Sequence, residues 1–224
     1  TSENSTQQTD NQKLQDILPE ARLADLPEKM RQGVELAGWK ELLPVQAKAI
    51  PYLFSRRDMM IQSHTGSGKT GAYLLPMLEM INPLQNSAQV LVMVPTRELA
   101  LQVFTEAELF GRAIGVRSIA VYGGVGYRAQ LDAFKEGAHI IIGTPGRLLD
   151  HLLRRSLSLK DLKFLILDEA DHMLSMGFYP DMRRVKSYLP NHPISTYMFS
   201  ATFPPQVLRV TSEFLHEPGF INLS

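Results

Sequence analysis

Residues 61–70 read Ile61-Gln62-Ser63-His64-Thr65-Gly66-Ser67-Gly68-Lys69-Thr70. An apolar run, Met59, Met60 and Ile61, leads into this stretch of small residues. Gly71-Ala72-Tyr73-Leu74-Leu75 then continues with helix-like spacing. Strand, glycine loop, helix is the context that a phosphate-binding loop requires. Gly66 and Gly68 let backbone N–H groups turn inward with no Cβ in the way. The helix N-terminus adds partial positive charge where phosphates sit. Lys69 can reach the β- and γ-phosphates of a nucleotide, and the Thr70 hydroxyl can ligate Mg²⁺. Ser63 stands where the pattern usually has its first Gly, so the strict motif is broken. His64 is read as a residue of the loop and not as a side-chain ligand. The core pattern G-x-G-K-[ST] should still occur by chance at only roughly one position in 30,000.

Outward from the loop, short apolar runs alternate with helical patterns. Strands are predicted at 90–94, 118–122, 139–142, 164–167 and 196–199, with a last one at 220–223. Helices are predicted at 27–37, 44–54, from the loop to 81, 96–110, 126–134, 146–154, 182–188 and 204–215. Pro76 predicts a kink or an early end in the helix that follows the loop. Fully apolar strands alternating with helices mean an α/β fold with a mostly parallel sheet covered on both faces. Ligands of such sheets bind beyond the carboxyl ends of the strands. Every unusual cluster of this chain falls at such an end: the loop, Thr96-Arg97, Gly123-Gly124, Thr144-Pro145-Gly146-Arg147, Asp168-Glu169 and Ser200-Ala201-Thr202.

Composition narrows the partners. The chain has 224 residues, enough for one large domain, 14–224, behind a polar tail at 1–13 that is expected to be disordered. It shows no internal repeat and no second domain. Lys+Arg and Asp+Glu are 23 each, so a polyanion must be met by a local basic patch and not by the whole field. With no Cys, neither a disulfide nor a thiolate metal site is possible. No apolar run approaches a membrane span and the N-terminus lacks a signal-peptide pattern. A reducing, cytoplasmic compartment is the expectation, with no membrane partner and a monomeric state.

Asp168-Glu169-Ala170-Asp171 follows four apolar residues. In a phosphate-loop enzyme an Asp at a strand end holds Mg²⁺, usually through water. An adjacent Glu can orient and deprotonate the attacking water. Asp168 is therefore the candidate metal residue and Glu169 the candidate general base. The plainer alternative is a helix N-cap with an acidic first turn.

Taken together, these stretches resemble the first (N-terminal) RecA-like domain of a DEAD-box RNA helicase. The matching segments are residues 63–70, Pro95-Thr96-Arg97-Glu98-Leu99-Ala100, Gly123-Gly124, Thr144-Pro145-Gly146-Arg147, Asp168-Glu169-Ala170-Asp171 and Ser200-Ala201-Thr202, in the family's order and at its spacing. The resemblance covers about residue 26 to the C-terminus. It implies a RecA-like P-loop fold, ATP and Mg²⁺ as cofactors and RNA as partner. By it Ser63, His64, Thr65, Gly66, Ser67, Gly68, Lys69 and Thr70 bind the nucleotide phosphates. Lys69, Asp168 and Glu169 are the catalytic residues, and Thr70 and Asp168 the magnesium residues. Gln46 matches the glutamine that reads adenine, pairing with N6 and N7. Asp171, Ser200 and Thr202 form a hydrogen-bonded group that couples nucleotide state to RNA binding. Arg97, Gly124, Thr144, Gly146 and Arg147 contact the RNA backbone without reading its sequence.

Two departures stand out. The chain has Leu42-Leu43 where the family has Pro-Thr or Pro-Ser, which removes a hydroxyl that would tie the adenine-reading segment to the phosphate loop. Counting back from Trp39, the family's adenine-stacking aromatic falls at Ala21. The family's second RecA-like domain supplies arginine fingers and half of the RNA groove, and this chain stops about where the first domain ends. The expectation is a piece that binds nucleotide and is nearly inactive alone. The competing readings are a non-catalytic RNA- or protein-binding module of the same fold, and a DNA-acting relative.

Overall fold

The computed structural model describes residues 17–223; the expected disordered tail at 1–13 lies outside them. After a short 3₁₀ turn, Leu23–Asp25, come α1 (Glu28–Leu36) and α2 (Pro44–Phe54). Strands and helices then alternate: β1 (Met59–Gln62), α3 (Lys69–Met80), β2 (Val90–Met93), α4 (Arg97–Gly111), β3 (Ser118–Val121), α5 (Arg128–Glu136), β4 (Ile140–Gly143), α6 (Pro145–Leu153) and β5 (Phe164–Leu167). Two helices, α7 (Ala170–Ser175) and α8 (Tyr179–Lys186), precede β6 (Ser195–Ser200), followed by α9 (Pro205–Phe214) and β7 (Gly219–Asn222).

Every residue of β2, β4, β5 and β6 is buried. Strands apolar on both faces need cover on both, and the chain supplies it. Val90, Val92, Ile140, Ile142, Phe164 and Ile166 point into one core with Met30, Val34, Ile50, Leu53, Leu74, Leu75 and Val103 of α1 to α4. Their neighbours Leu91, Met93, Ile141, Leu165 and Leu167 point the other way, against Leu148, Leu152, Met173, Met182, Val185, Val207 and Val210 of α6 to α9. The period of two along each strand thus separates the two cores.

The sheet order is β3-β4-β2-β5-β6-β1-β7. Every pairing is parallel, so the expected mostly parallel sheet is parallel throughout. β6 is inserted between β1 and β5, with Ile61 opposite Phe199 and Ile166 opposite Tyr197. The ends of β1, β6 and β5 therefore meet at one place, and those of β2, β4 and β3 at another.

Two expectations change. Pro76 lies inside α3 without ending it; the helix runs on to Met80. Residues 71–78 of that helix are all buried, and packing of that extent outweighs the roughly 3 kcal/mol an interior proline costs. Between β5 and β6 the spacing predicts only one helix, at 182–188. The structure has two, because six residues of α7 are too few to show a helical period in sequence.

Candidate functional site

The phosphate loop leaves β1 through Ser63, whose N–H donates to the Ser200 carbonyl at 3.1 Å. It enters α3 at Lys69, with Thr70 next on the first turn. Gly68 caps the helix at φ +92, and a Cβ there would lie 2.5 Å from Leu43 Cδ1. Only glycine serves this position, by conformation and by space. His64, Thr65 and Gly66 are exposed, whereas Ser63 is fully buried. The hydroxyls of Ser63 and Ser67 are buried without a partner.

Lys69 and Asp168 are both buried and form an ion pair, Nζ to Oδ1, of 3.0 Å. Glu169 Oε1 lies 3.6 Å from the same ammonium. The Tyr73 hydroxyl, one helical turn beyond Lys69, donates to Asp168 Oδ2 at 2.9 Å. Burial pushes the Asp168 carboxyl up from its ordinary range; Lys69 and Tyr73 oppose this and Glu169 adds to it. Burial, then the Asp168 charge, pushes the Tyr73 phenol well up. Burial and then Asp168 also raise Glu106. Glu169 adopts a left-handed backbone, φ +52, which costs a non-glycine residue roughly 1–2 kcal/mol. Its carboxylate accepts from Thr65 Oγ1 at 3.1 Å and meets His172 Nδ1 at 3.3 Å. A strained backbone thus presents this side chain to the mouth of the loop.

Magnesium needs only one or two carboxylates, with phosphate and water oxygens completing its octahedron. The lack of any cluster of three acidic or imidazole donors among the described residues is consistent with that. Asp168 Oδ1 is buried and has no donor besides the Lys69 ammonium, 3.0 Å away. One carboxylate oxygen with no donor besides that ammonium, at the foot of a glycine-containing loop that enters a helix at Lys69 and Thr70, fits Mg²⁺ bound with a nucleotide.

Asp171, Ser200 and Thr202 are brought together as one group. Asp171 N–H donates to Ser200 Oγ at 3.2 Å, and Ser200 Oγ donates to the Thr202 carbonyl at 2.8 Å. Asp171 Oδ2 accepts from the Thr202 backbone at 3.2 Å and from its hydroxyl at 2.9 Å. The group bridges the end of β6 to α7, immediately beside Glu169.

Gln46 is buried against the loop. Its Oε1 accepts from Leu43 N–H at 2.9 Å and its Nε2 donates to the Gly68 carbonyl at 3.2 Å. Each amide atom keeps one further hydrogen-bonding position. The tie that the missing hydroxyl would have made is thus made by Gln46 itself and by Leu43 packed on Gly68. Trp39 closes the same corner, with its ring edge 2.4 Å from where a Cβ of Gly71 would stand. Ala21 N–H donates to the Ala47 carbonyl at 2.8 Å, which places Ala21 beside α2.

The remaining candidates gather at the neighbouring ends of β2, β4 and β3. Arg97 opens α4, capped by Thr96, with its guanidinium 4.8 Å from the Tyr122 ring centre. Gly124 lies in the turn after β3, and Thr144, Gly146 and Arg147 form the start of α6. Arg147 donates to the Val125 carbonyl at 3.0 Å and to Gln130 Oε1 at 3.3 Å, and lies 4.3 Å over Tyr127. Tyr122, Tyr127 and Gln130, which hold these arginines, were not singled out in the sequence, and neither were Tyr73 and His172. For Tyr73 a signal existed: a phenol four residues after Lys69 in an otherwise apolar helix.

Comparison with known proteins points to one family. The family model for the DEAD/DEAH box helicase matches residues 43–210. The chain is 46% identical over 200 residues to the ATP-dependent RNA helicase DeaD of Haemophilus influenzae, covering 88% of this chain and 32% of that protein. It is 44% identical over 191 residues to the DEAD-box ATP-dependent RNA helicase CshA of Streptococcus pneumoniae, covering 85% and 36%. The chain thus spans about a third of the length of these relatives. The crystal structure of a DEAD box protein from Methanococcus jannaschii superposes with a TM-score of 0.84 at 33% identity, over 89% of this chain and 55% of that one. A phosphate loop, an acidic strand end and a buried lysine between them are common to many nucleotide-binding proteins, but with this likeness over most of the length the chain belongs to the DEAD/DEAH box helicase family.

Proposed function

We propose that this chain is the ATP-binding first RecA-like domain, 14–224, of an ATP-dependent RNA helicase, and that a second RecA-like domain completes the enzyme. The observation that carries the reading is the buried Lys69–Asp168 pair at the mouth of a loop with unpaired hydroxyls. A buried charge pair of this kind is costly to keep and gives little net stability, so a ligand role explains it better than a structural one. This also weighs against a binding module that has lost its chemistry.

In this reading the loop N–H groups and Lys69 hold the phosphates, while Thr70 and Asp168 hold Mg²⁺. When bound, Mg²⁺ neutralises charge on the β- and γ-oxygens. Glu169 orients the attacking water and takes its proton. Gln46 offers its remaining acceptor and donor positions to adenine N6 and N7. Asp171, Ser200 and Thr202 transmit the nucleotide state toward Arg97, Gly124, Thr144, Gly146 and Arg147, which contact RNA phosphates and sugars. Closure of the two domains around ATP and RNA drives local strand separation, so the chain by itself turns over ATP poorly and unwinds nothing. A monomer in the cytoplasm is the working state; among the described residues no helix is long and apolar enough to cross a membrane.

The test is calorimetric binding of Mg²⁺-ADP and Mg²⁺-GDP, with Lys69→Ala as control. Tighter ADP binding, abolished by Lys69→Ala, is the expected result. Equal binding of both would remove the adenine assignment of Gln46, and no binding of either would favour the binding-module reading.

A further inference from the structure

The structure assigns Tyr73 a role the phosphate-loop pattern does not contain: we propose that its phenol is a positioning residue that holds the Asp168 carboxylate for the magnesium of the bound nucleotide. The inference rests on the nucleotide-site reading above.

Tyr73 is fully buried on the first turns of α3. Its ring is fixed edge-on to Phe199 of β6, with centroids 5.2 Å apart. That packing aims the hydroxyl across the sheet end at Asp168 Oδ2, 2.9 Å away. The two oxygens of Asp168 are thereby sorted. Oδ2 is occupied by the phenol, and Oδ1 faces the Lys69 ammonium with no other donor on it.

The sorting matters when a nucleotide arrives. Lys69 must leave Asp168 to reach the phosphates, which strips a fully buried carboxylate of its counter-charge. Tyr73 reaches Asp168 from within the core, so no ligand needs to displace it. It keeps one hydrogen bond on the carboxylate during the exchange and keeps Oδ1 turned to the mouth of the loop. A phenylalanine would fill the same space and contact Phe199 equally well, so the hydroxyl is not required for packing. A buried Tyr hydroxyl is a liability unless it has a partner, and the partner it has is the candidate metal residue.

The experiment measures ADP binding to the chain by calorimetry across a magnesium series, for the parent and for Tyr73→Phe, with melting temperatures to confirm folding. Loss of a hydrogen bond to a buried charge should weaken the enhancement of ADP binding by Mg²⁺ about tenfold. ADP affinity in EDTA should be unchanged, since the loop and Lys69 are intact. In an Asp168→Asn background the Tyr73→Phe substitution should have no further effect on the magnesium series, which separates positioning of the carboxylate from general loosening of the core. An equal magnesium enhancement in the parent and in Tyr73→Phe would overturn the proposal. So would an equal loss in EDTA and in magnesium, which would mark a merely structural role. If the parent itself shows no magnesium enhancement, the assignment of Asp168 fails first and this proposal with it; that outcome is recognised in the parent alone.

Discussion

At Glu169 a left-handed backbone, a hydroxyl partner and a nearby ammonium converge on one carboxylate. If that carboxylate takes the proton from water, Glu169→Gln in the full-length protein should lower ATP turnover at least about a hundredfold while leaving ADP affinity within a factor of two. Phosphate-release kinetics and calorimetry check the pair. At Gly68 the constraint is steric. Gly68→Ala must place a Cβ 2.5 Å from Leu43 Cδ1 at φ +92, and should lose ADP binding as well as more than about 1 kcal/mol of stability. Glu106 presents a question of sign. Its folded carboxyl is raised by burial and by Asp168, so folding favours its protonated form and is penalised as pH rises through the folded value. Glu106→Gln should therefore raise Tm at pH 7.5, and the advantage should shrink as the pH is lowered toward the carboxylate range. A constant difference across pH would show that the charge is not the cause.

The helix starts carry the site at the next scale. α3 begins at the phosphate loop, α4 at Arg97, α6 at Thr144 and α7 at Glu169. Each follows the C-terminal end of a parallel strand, so the positive ends of several helix dipoles face the same side of the sheet. α4 owes its start to Thr96, whose hydroxyl accepts from Leu99 N–H at 3.2 Å. Thr96→Ala should cost about 1 kcal/mol in urea denaturation and, by fraying the turn that carries Arg97, should also weaken RNA binding. Gln46 acts at this scale too. It ties the first turn of α2 to the loop through Leu43 N–H and the Gly68 carbonyl, so its loss loosens an interface between two elements as well as the proposed base contact.

For the whole molecule the decisive number is a formal net charge of zero. Without a basic field, the proposed RNA binding would come from a few placed cations, and its dependence on salt should be shallow. Each phosphate neutralised on a single strand contributes about 0.7 to the slope of log K against log salt. Arg147→Ala should reduce the slope by about that amount and weaken unrelated single-stranded RNAs equally; a selective loss for one sequence would contradict a backbone contact. The two clusters lie at adjacent sheet ends, one on β1, β6 and β5 and the other on β2, β4 and β3. RNA-stimulated ATP turnover by this chain alone would sink the idea that a second domain must close over both.

The sequence by itself determined the strands, most helices, the parallel sheet and the residues at its strand ends. These follow from local rules: apolar runs bury themselves, glycines permit the loop, and caps start helices. It also set the expectation that the Asp168 segment, Lys69 and Thr70 share one site, from their types and order, and the fold brings Lys69 and Asp168 together. Only the tertiary structure decided which atoms meet. Insertion of β6 between β1 and β5 joins Ser200 and Thr202 to Asp171, and no local pattern encodes that order. The proline in α3 survives because the helix around it is buried along its length in one core, a sum over distant contacts that no window of sequence contains. The Tyr73 hydroxyl looks like one more buried aromatic until the fold brings Asp168, 95 residues away in sequence, to within 2.9 Å. Hydrogen bonds over such separations depend on ångström placement by the whole sheet, which periodicity and propensity do not carry.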